Sequence, residues 1–335
     1  MAALFKLFKF LKNYTGFIFL SFLLLMVSVG LDLVQPKLIE RAIDSGIQAE
    51  SVRIVILVGA GILAAALVGS LFNLASGFML IRSAQGMGYE MRNSLYQKLM
   101  SFSFANLDKW RTGELMVRMY SDVNTVRMFI RMGLLMIVRS IVMIAGSLIV
   151  MFMTNARLAS IMAIFMPSAL ALFFVLASII RPMFMKVRES LDELNNVLQE
   201  NLAGSKVVRA FSRQSYELER FKDKNKNFYK ASIKVGYTIS IVFPLFMFVG
   251  NAAMLVTLWF GGTAVIENLL KPAAGALSLG QLIAFNSYAL MAMFPIFMLG
   301  MVISFISMAS ASAVRLEELL GEKPAVEEKE NAVSI

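Results

Sequence analysis

"ENLAGSKVVRAFSRQSYELERF", residues 200–221, decides how this chain is read. Its 22 residues carry seven charges (Glu200, Lys206, Arg209, Arg213, Glu217, Glu219, Arg220) among nine apolar positions in a broken helical pattern. The rest of the chain is different in kind. Of 335 residues, 58% are hydrophobic and only 16% charged, and mean hydropathy is +0.71. Apolar runs of about 20 residues recur, which identifies a polytopic membrane protein. A charged helical stretch in so apolar a chain needs a reason outside the bilayer.

Working outward from it, six spans stand out: 14–34, closed by Gln35-Pro36, then 54–81, 132–154, 158–180, 235–260 and 279–309. Each is long enough to cross a hydrocarbon core of ~30 Å. Lys and Arg set the orientation. Twenty-six of the 32 fall in residues 1–13, 82–131, 181–234 and 315–335. Lys37, Arg41, Arg53, Arg157 and Lys271 fall on the other side, and Arg139 lies within a span. This bias predicts cytoplasmic N- and C-termini in the cell membrane. It also accounts for the net charge of +10 without nucleic acid.

The two long basic loops are helix-compatible continuations of the spans. Residues 82–105 and 182–206 lead away, and 114–131 and 216–234 lead back. At 1.5 Å per residue, 24 residues reach about 36 Å beyond the bilayer. Outer connections are much shorter. Two helical hairpins therefore project into the cytoplasm. At the first tip, "FANLDKWRTGELMVRMYSDV" (104–123), Asp108 is expected to cap a short helix, Thr112-Gly113 to break it, and Glu114 to open the next. At the second, Gly204 interrupts a helix and "RAFSRQSYE" makes a short crosswise turn. The N-terminal "MAALFKLFKFLKNYTG" sets Lys6, Lys9 and Lys12 on one face among Leu and Phe, an interfacial helix before a retained first span.

There is no cysteine and no histidine. Cys/His zinc sites, thiol nucleophiles, redox pairs and Ser-His-Asp triads are excluded by inventory. Paired carboxylates, such as Asp192/Glu193 and Glu317/Glu318, occur only in polar stretches, so no general acid–base site and no metal site is expected. "RFKDKNKNFYK" reads as a solvated helix face.

Inside the spans, Arg139 is the residue to explain. A charge there is costly, so it is expected to face a water-filled cavity or to pair across helices; snorkelling to the inner interface is the alternative. Asp32 is read as structural, within reach of the outer interface. Asn251, Asn286, Ser287, Met291 and Met298 are candidates to line a path with Arg139, although interhelical hydrogen bonds and ordinary packing explain such residues too.

At the two tips the chain resembles the transmembrane domain of an ABC exporter, over essentially all of residues 1–320. The most specific pieces are "WRTGELMVRMYSDV" and the opening stretch. "PKLIERAIDSGI" (36–47), "LSLGQLIAF" (277–285) and "ASAVRLEELL" (311–320) support them in the same order. The resemblance implies an all-α membrane fold of six long helices with cytoplasmic extensions, two coupling helices and a domain-swapped dimer, homo- or heteromeric. Carried over, Asp108, Trp110, Arg111, Thr112, Gly113 and Glu114 form the first contact with a nucleotide-binding (ATPase) domain. Arg209, Ala210, Phe211, Arg213, Gln214, Tyr216 and Glu217 form the second, on the domain of the opposite half. The implied activity is alternating-access export of amphipathic drugs or lipids, with membrane lipid as surroundings and a hydrophobic small molecule as cargo.

The family normally continues into a nucleotide-binding domain. Here "GEKPAVEEKENAVSI" (321–335) reads as a disordered linker stub, and no G-x-x-x-x-G-K-[ST] occurs anywhere. ATP and Mg are therefore expected on a domain other than this one, and the complete transporter would be the ATP-hydrolysing enzyme. Two rivals remain: a self-sufficient carrier or channel, which needs intramembrane ionisable pairs or inverted repeats, and a non-transporting scaffold whose hairpins bind a cytoplasmic partner.

Overall fold

In a computed structural model the described residues are 2–270 and 277–324, with only the backbone of Met166 described. Lys271 and the tail beyond Pro324 lie outside them. Among the described residues all regular structure is helical. Six helical runs are long and apolar enough to cross a membrane: Ala2–Ile47, Val52–Met100, Thr112–Thr154, Ala156–Ala203, Gln214–Leu270 and Leu279–Gly321.

The helices are α1 (Ala2–Leu7), α2 (Thr15–Arg41), α3 (Val52–Met100), α4 (Phe104–Lys109), α5 (Thr112–Val117), α6 (Val123–Met128), α7 (Leu134–Thr154), α8 (Ala156–Ala203), α9 (Ser205–Ala210), α10 (Gln214–Leu270) and α11 (Leu279–Gly321). Wider turns at Arg118–Asp122 and Phe129–Gly133 join α5, α6 and α7 into one run. The helix of the first span does not close at Gln35-Pro36 but continues through a buried Pro36 to Arg41. A proline costs a membrane helix little when its neighbours re-satisfy the freed backbone. The cap of α4 is Ser103, in a capping box with Asn106, while Asp108 lies within the helix.

The chain divides into two compact units. The first is Met1–Ser160 with Thr257–Ile335, and the second is Ile161–Val256. In the first unit, α2 and α3 pack antiparallel through small residues seven apart. Ser21 and Ser76 each donate to the other's carbonyl (2.9 and 2.8 Å), and Ser28 donates to the Gly69 carbonyl (3.0 Å). With apolar chains on every side, such hydrogen bonds and close backbone approach do what hydrophobic burial does in water. Tyr288 of α11 donates to the Leu33 carbonyl of α2 at 2.7 Å.

At one end of this unit, Asp44 accepts from the Ser278 hydroxyl and from the Gly280 amide (2.8 Å), closing the first turn of α11. A Cβ at position 280 would lie 2.6 Å from the Asp44 carboxylate and from the Glu40 carbonyl, so only glycine allows this approach. Two separate supporting motifs thus meet here. The opposite, Lys- and Arg-rich end holds the main apolar core: Leu4, Leu7, Met87, Met91, Leu95, Trp110, Ile130, Leu316 and Leu319, among others. Each fully buried side chain of this size contributes about 2 kcal/mol.

The second unit comprises most of α8, all of α9 and most of α10. The apolar stretches of α8 and α10 are only 6% buried, against 33% for that of α11. Ion pairs join its two arms: Glu200–Arg220 (2.7 Å) and Glu193–Lys224 (2.9 Å).

Candidate functional site

The first tip is fastened to the end of α11 by buried charges. Arg118, 4% exposed, stands 4.1 Å over the Trp110 ring and donates to the Arg315 carbonyl (2.8 Å), Glu114 (2.8 Å) and Glu318 (2.9 Å). One turn on, Asp122, 2% exposed, accepts from Ser312 and from Arg315 Nε, both at 2.9 Å. The hydrogen bond and charge of Asp122 push the Arg315 pKa up. Asn106 donates to the Lys323 carbonyl at 3.0 Å, and Lys109 pairs with Glu322 at 2.8 Å. Trp110, one of the residues carried over to the first contact, is 8% exposed and sits inside this assembly, while Asp108, Arg111, Thr112, Gly113 and Glu114 are exposed.

The second tip presents its aromatic side chains outward. Gly204 ends α8, as expected, and α9 follows. The chain then reverses at Ser212, whose φ is +51°; Arg213 N–H returns to the Val208 carbonyl at 2.9 Å. That is a helix-terminating reversal in which glycine is the usual left-handed residue. It throws Phe211 outward to 75% exposure, with Tyr216 at 60%. Arg209, Ala210, Arg213 and Gln214 are exposed and Glu217 is half-buried. Beneath the turn a cleft of about 370 Å³ is lined by Leu198, Asn201, Val208, Arg209, Glu217 and Phe221, with others. At the base of the hairpin, the hydrogen bond from Lys224 and then its charge hold the Glu193 carboxyl below its ordinary pKa.

Within the spans of the first unit, α7 and α11 enclose a cavity of about 370 Å³. Met136, Arg139, Ser140 and Met143 line one side, and Met291, Phe294, Pro295 and Met298 the other. Both sets follow one helical face, i, i+3, i+4, i+7. The Arg139 guanidinium pairs with Asp32 of α2 (3.2 Å) and reaches Asn73 of α3 (3.4 Å). The cross-helix partner foreseen for Arg139 is thus Asp32, read from sequence as structural. Met291 and Met298 join Arg139 at this cavity. Asn286 is 9% exposed on α11, its Oδ1 without a partner, and Ser287 bonds its own helix at the Ile283 carbonyl. Asn251 is exposed on α10 in the second unit.

Sequence reasoning missed Arg118, Asp122, Arg315 and Glu318 as a group. Their signal was present: a basic and an acidic residue four apart in one motif and three apart in the other, the two motifs 190 or more residues distant. Asp32 with Asn73 was missed as well, because neither lies near Arg139 in sequence.

These features define a class, a polytopic helical membrane protein whose apolar helices continue into two polar hairpins. The model of the ABC transporter transmembrane region matches residues 18–308, and the chain belongs to that family. It is 29% identical over 317 residues to the uncharacterized ABC transporter ATP-binding protein YknU of Bacillus subtilis strain 168, covering 93% of this chain and 52% of that protein. YfiB of the same organism, described in the same words, is 26% identical over 98% of this chain and 56% of its own length. The ATP-dependent lipid A-core flippase of Desulfotalea psychrophila is 28% identical over 77% of this chain and 44% of its own length. The chain spans about half the length of the curated relatives it matches.

Proposed function

We propose that this chain is the membrane-spanning half of an ATP-driven exporter. A second such half, identical or related, completes the path by covering the apolar faces of α8 and α10. A nucleotide-binding domain docks on the two tips, and its ATP-driven closure turns the path from one side of the cell membrane to the other, with both termini cytoplasmic. The cargo is an amphipathic lipid or drug, in keeping with the flippase among the relatives. Its polar part meets the Arg139–Asp32 pair and its apolar part the methionine and phenylalanine wall.

On this reading ATP sits on that nucleotide-binding domain. A phosphate-binding loop needs a glycine-rich turn between a strand and a helix, and this sequence has no such motif. The nucleotide supplies driving energy from its own domain, and the work of these residues is to receive that motion and to line the path.

The single observation that carries the proposal is the outward Phe211, 75% exposed at the end of a charged hairpin. An exposed aromatic ringed by charges is a contact that a partner's groove completes. Phe211→Ala is expected to weaken binding of the cognate nucleotide-binding domain about 30-fold, the loss typical of an interface anchor. Surface plasmon resonance on the purified proteins measures it, and unaltered affinity sinks the assignment.

One observation favours a second reading. The Arg139–Asp32 pair is an ionisable pair within the spans, the feature a self-sufficient carrier needs. Transport by the chain alone in vesicles, driven by an ion gradient and indifferent to ATP, would establish that reading instead.

A further inference from the structure

A row of cations lies along the seam between the turn Phe8–Tyr14 and α3. Lys9, Lys12 and Arg82 are all exposed, and among the described residues none forms an ion pair with a carboxylate. Lys6, one turn earlier, is different: Glu317 neutralises it. Aromatic rings support two of the others. Lys9 Nζ stands 5.0 Å from the centre of the Phe10 ring, and the Arg82 guanidinium 4.6 Å from that of Phe17. The seam is closely fitted, since a Cβ at Gly86 would collide with the Tyr14 ring.

The surrounding charge points one way. No acid occurs in residues 1–31 or 51–89; Glu90 stands two turns beyond Arg82 on α3. The nearest polar contact from α6 brings a further cation, Arg127, to Gln85 at 2.6 Å. Beside the seam, Phe5 and Phe19 are 64% and 71% exposed. Unneutralised cations with exposed aromatic side chains, at the end of an apolar span, fit a membrane surface.

We propose that Lys9, Lys12 and Arg82 bind the phosphate of an anionic phospholipid in the leaflet at this end of the protein. The rings hold Lys9 and Arg82 at headgroup depth, and the aromatic and apolar side chains meet the acyl region. Each cation near an anionic surface is worth about fivefold in affinity. The inference does not depend on the exporter reading, because it concerns the resting protein and not transport.

The test uses the intact chain in neutral micelles with equal phosphatidylglycerol and phosphatidylcholine, with lipid adducts counted by native mass spectrometry. The expected result is preferential retention of phosphatidylglycerol. The preference should fall roughly fivefold in Arg82→Gln and about a hundredfold in the triple Lys9→Gln, Lys12→Gln, Arg82→Gln. A control, Lys230→Gln with Lys234→Gln on α10, should retain it. If the triple variant fails to fold by circular dichroism, Arg82→Gln alone decides. A preference unchanged in Arg82→Gln, or lost equally in the control, overturns the proposal. So does displacement of phosphatidylglycerol by millimolar inorganic phosphate, which would make the seam a site for free anions.

Discussion

The two tips carry the same expected duty and are built in opposite ways. The first is anchored: Arg118 and Asp122 are buried, Trp110 lies beneath a guanidinium, and the end of α11 takes hydrogen bonds from Arg118 and gives them to Asp122. The second is free: Phe211 and Tyr216 face outward, and exposed ion pairs join the arms of its hairpin. Breaking a buried pair by removing one partner costs about 3–5 kcal/mol, whereas exposed pairs are worth about 0–1. The first tip therefore moves as one body with α11, while the second is shaped by its turn and yields at its base. In the exporter proposed above, the first would relay motion along α11 and the second would find its partner.

Removing the anchor has the largest expected effect. Asp122→Ala strips Ser312 and Arg315 of their acceptor. Arg315 is 46% exposed and can turn to water, so the cost is expected at the low end of the buried range, about 3 kcal/mol. The chain has two tryptophans, so a Trp259→Phe background makes Trp110 the sole reporter. Asp122→Ala should red-shift Trp110 emission and lower the melting temperature in detergent, whereas Phe211→Ala should do neither. Equal behaviour of the two variants would erase the contrast between the tips.

The contrast was only half legible in the sequence. Span count and hairpin topology follow from apolar run length and the placement of Lys and Arg, which are local quantities. The break at Gly204 and the position of Glu114 were legible for the same reason. Trp110 was not, because an aromatic residue in a polar stretch looks the same whether a partner or its own chain covers it. What covers it is Arg118, held by residues 315 and 318, and that pairing exists only in three dimensions. The cavity shows the same limit. Arg139 demanded a partner on energetic grounds, yet which acid and which methionines surround it depends on the packing of α2, α7 and α11.

A smaller change sharpens the free tip. Ser212 holds φ +51° without the advantage of glycine, and a left-handed L-residue carries a cost of about 1 kcal/mol. Ser212→Gly should relieve it and steady the turn, offset in part by the greater freedom of glycine in the unfolded chain. Tryptic cleavage after Arg209 and Arg213 reads this directly and should slow by a few-fold. Faster cleavage would mean that the turn is held by something other than its own backbone.

The smallest effect concerns the base of that hairpin, and its sign is fixed. Lys224 depresses the Glu193 pKa in the folded protein, so this contribution is fully present above the ordinary carboxylate value near 4.5. It is lost as pH falls below that value through the folded one. The pair is exposed, so salt weakens it and its loss loosens the arms without unfolding them. Because the chain has no cysteine, Asn196→Cys with Lys222→Cys gives two unique labelling sites, one on each arm. Spin-label distances between them should be narrow at pH 7 and broaden as the pH falls through the depressed Glu193 value. Glu193→Gln should broaden them already at pH 7 and reduce the further change on acidification. A distribution as narrow in Glu193→Gln as in the unmutated pair would show that packing, not surface charge, holds the second hairpin, and the two tips would then differ in exposure alone.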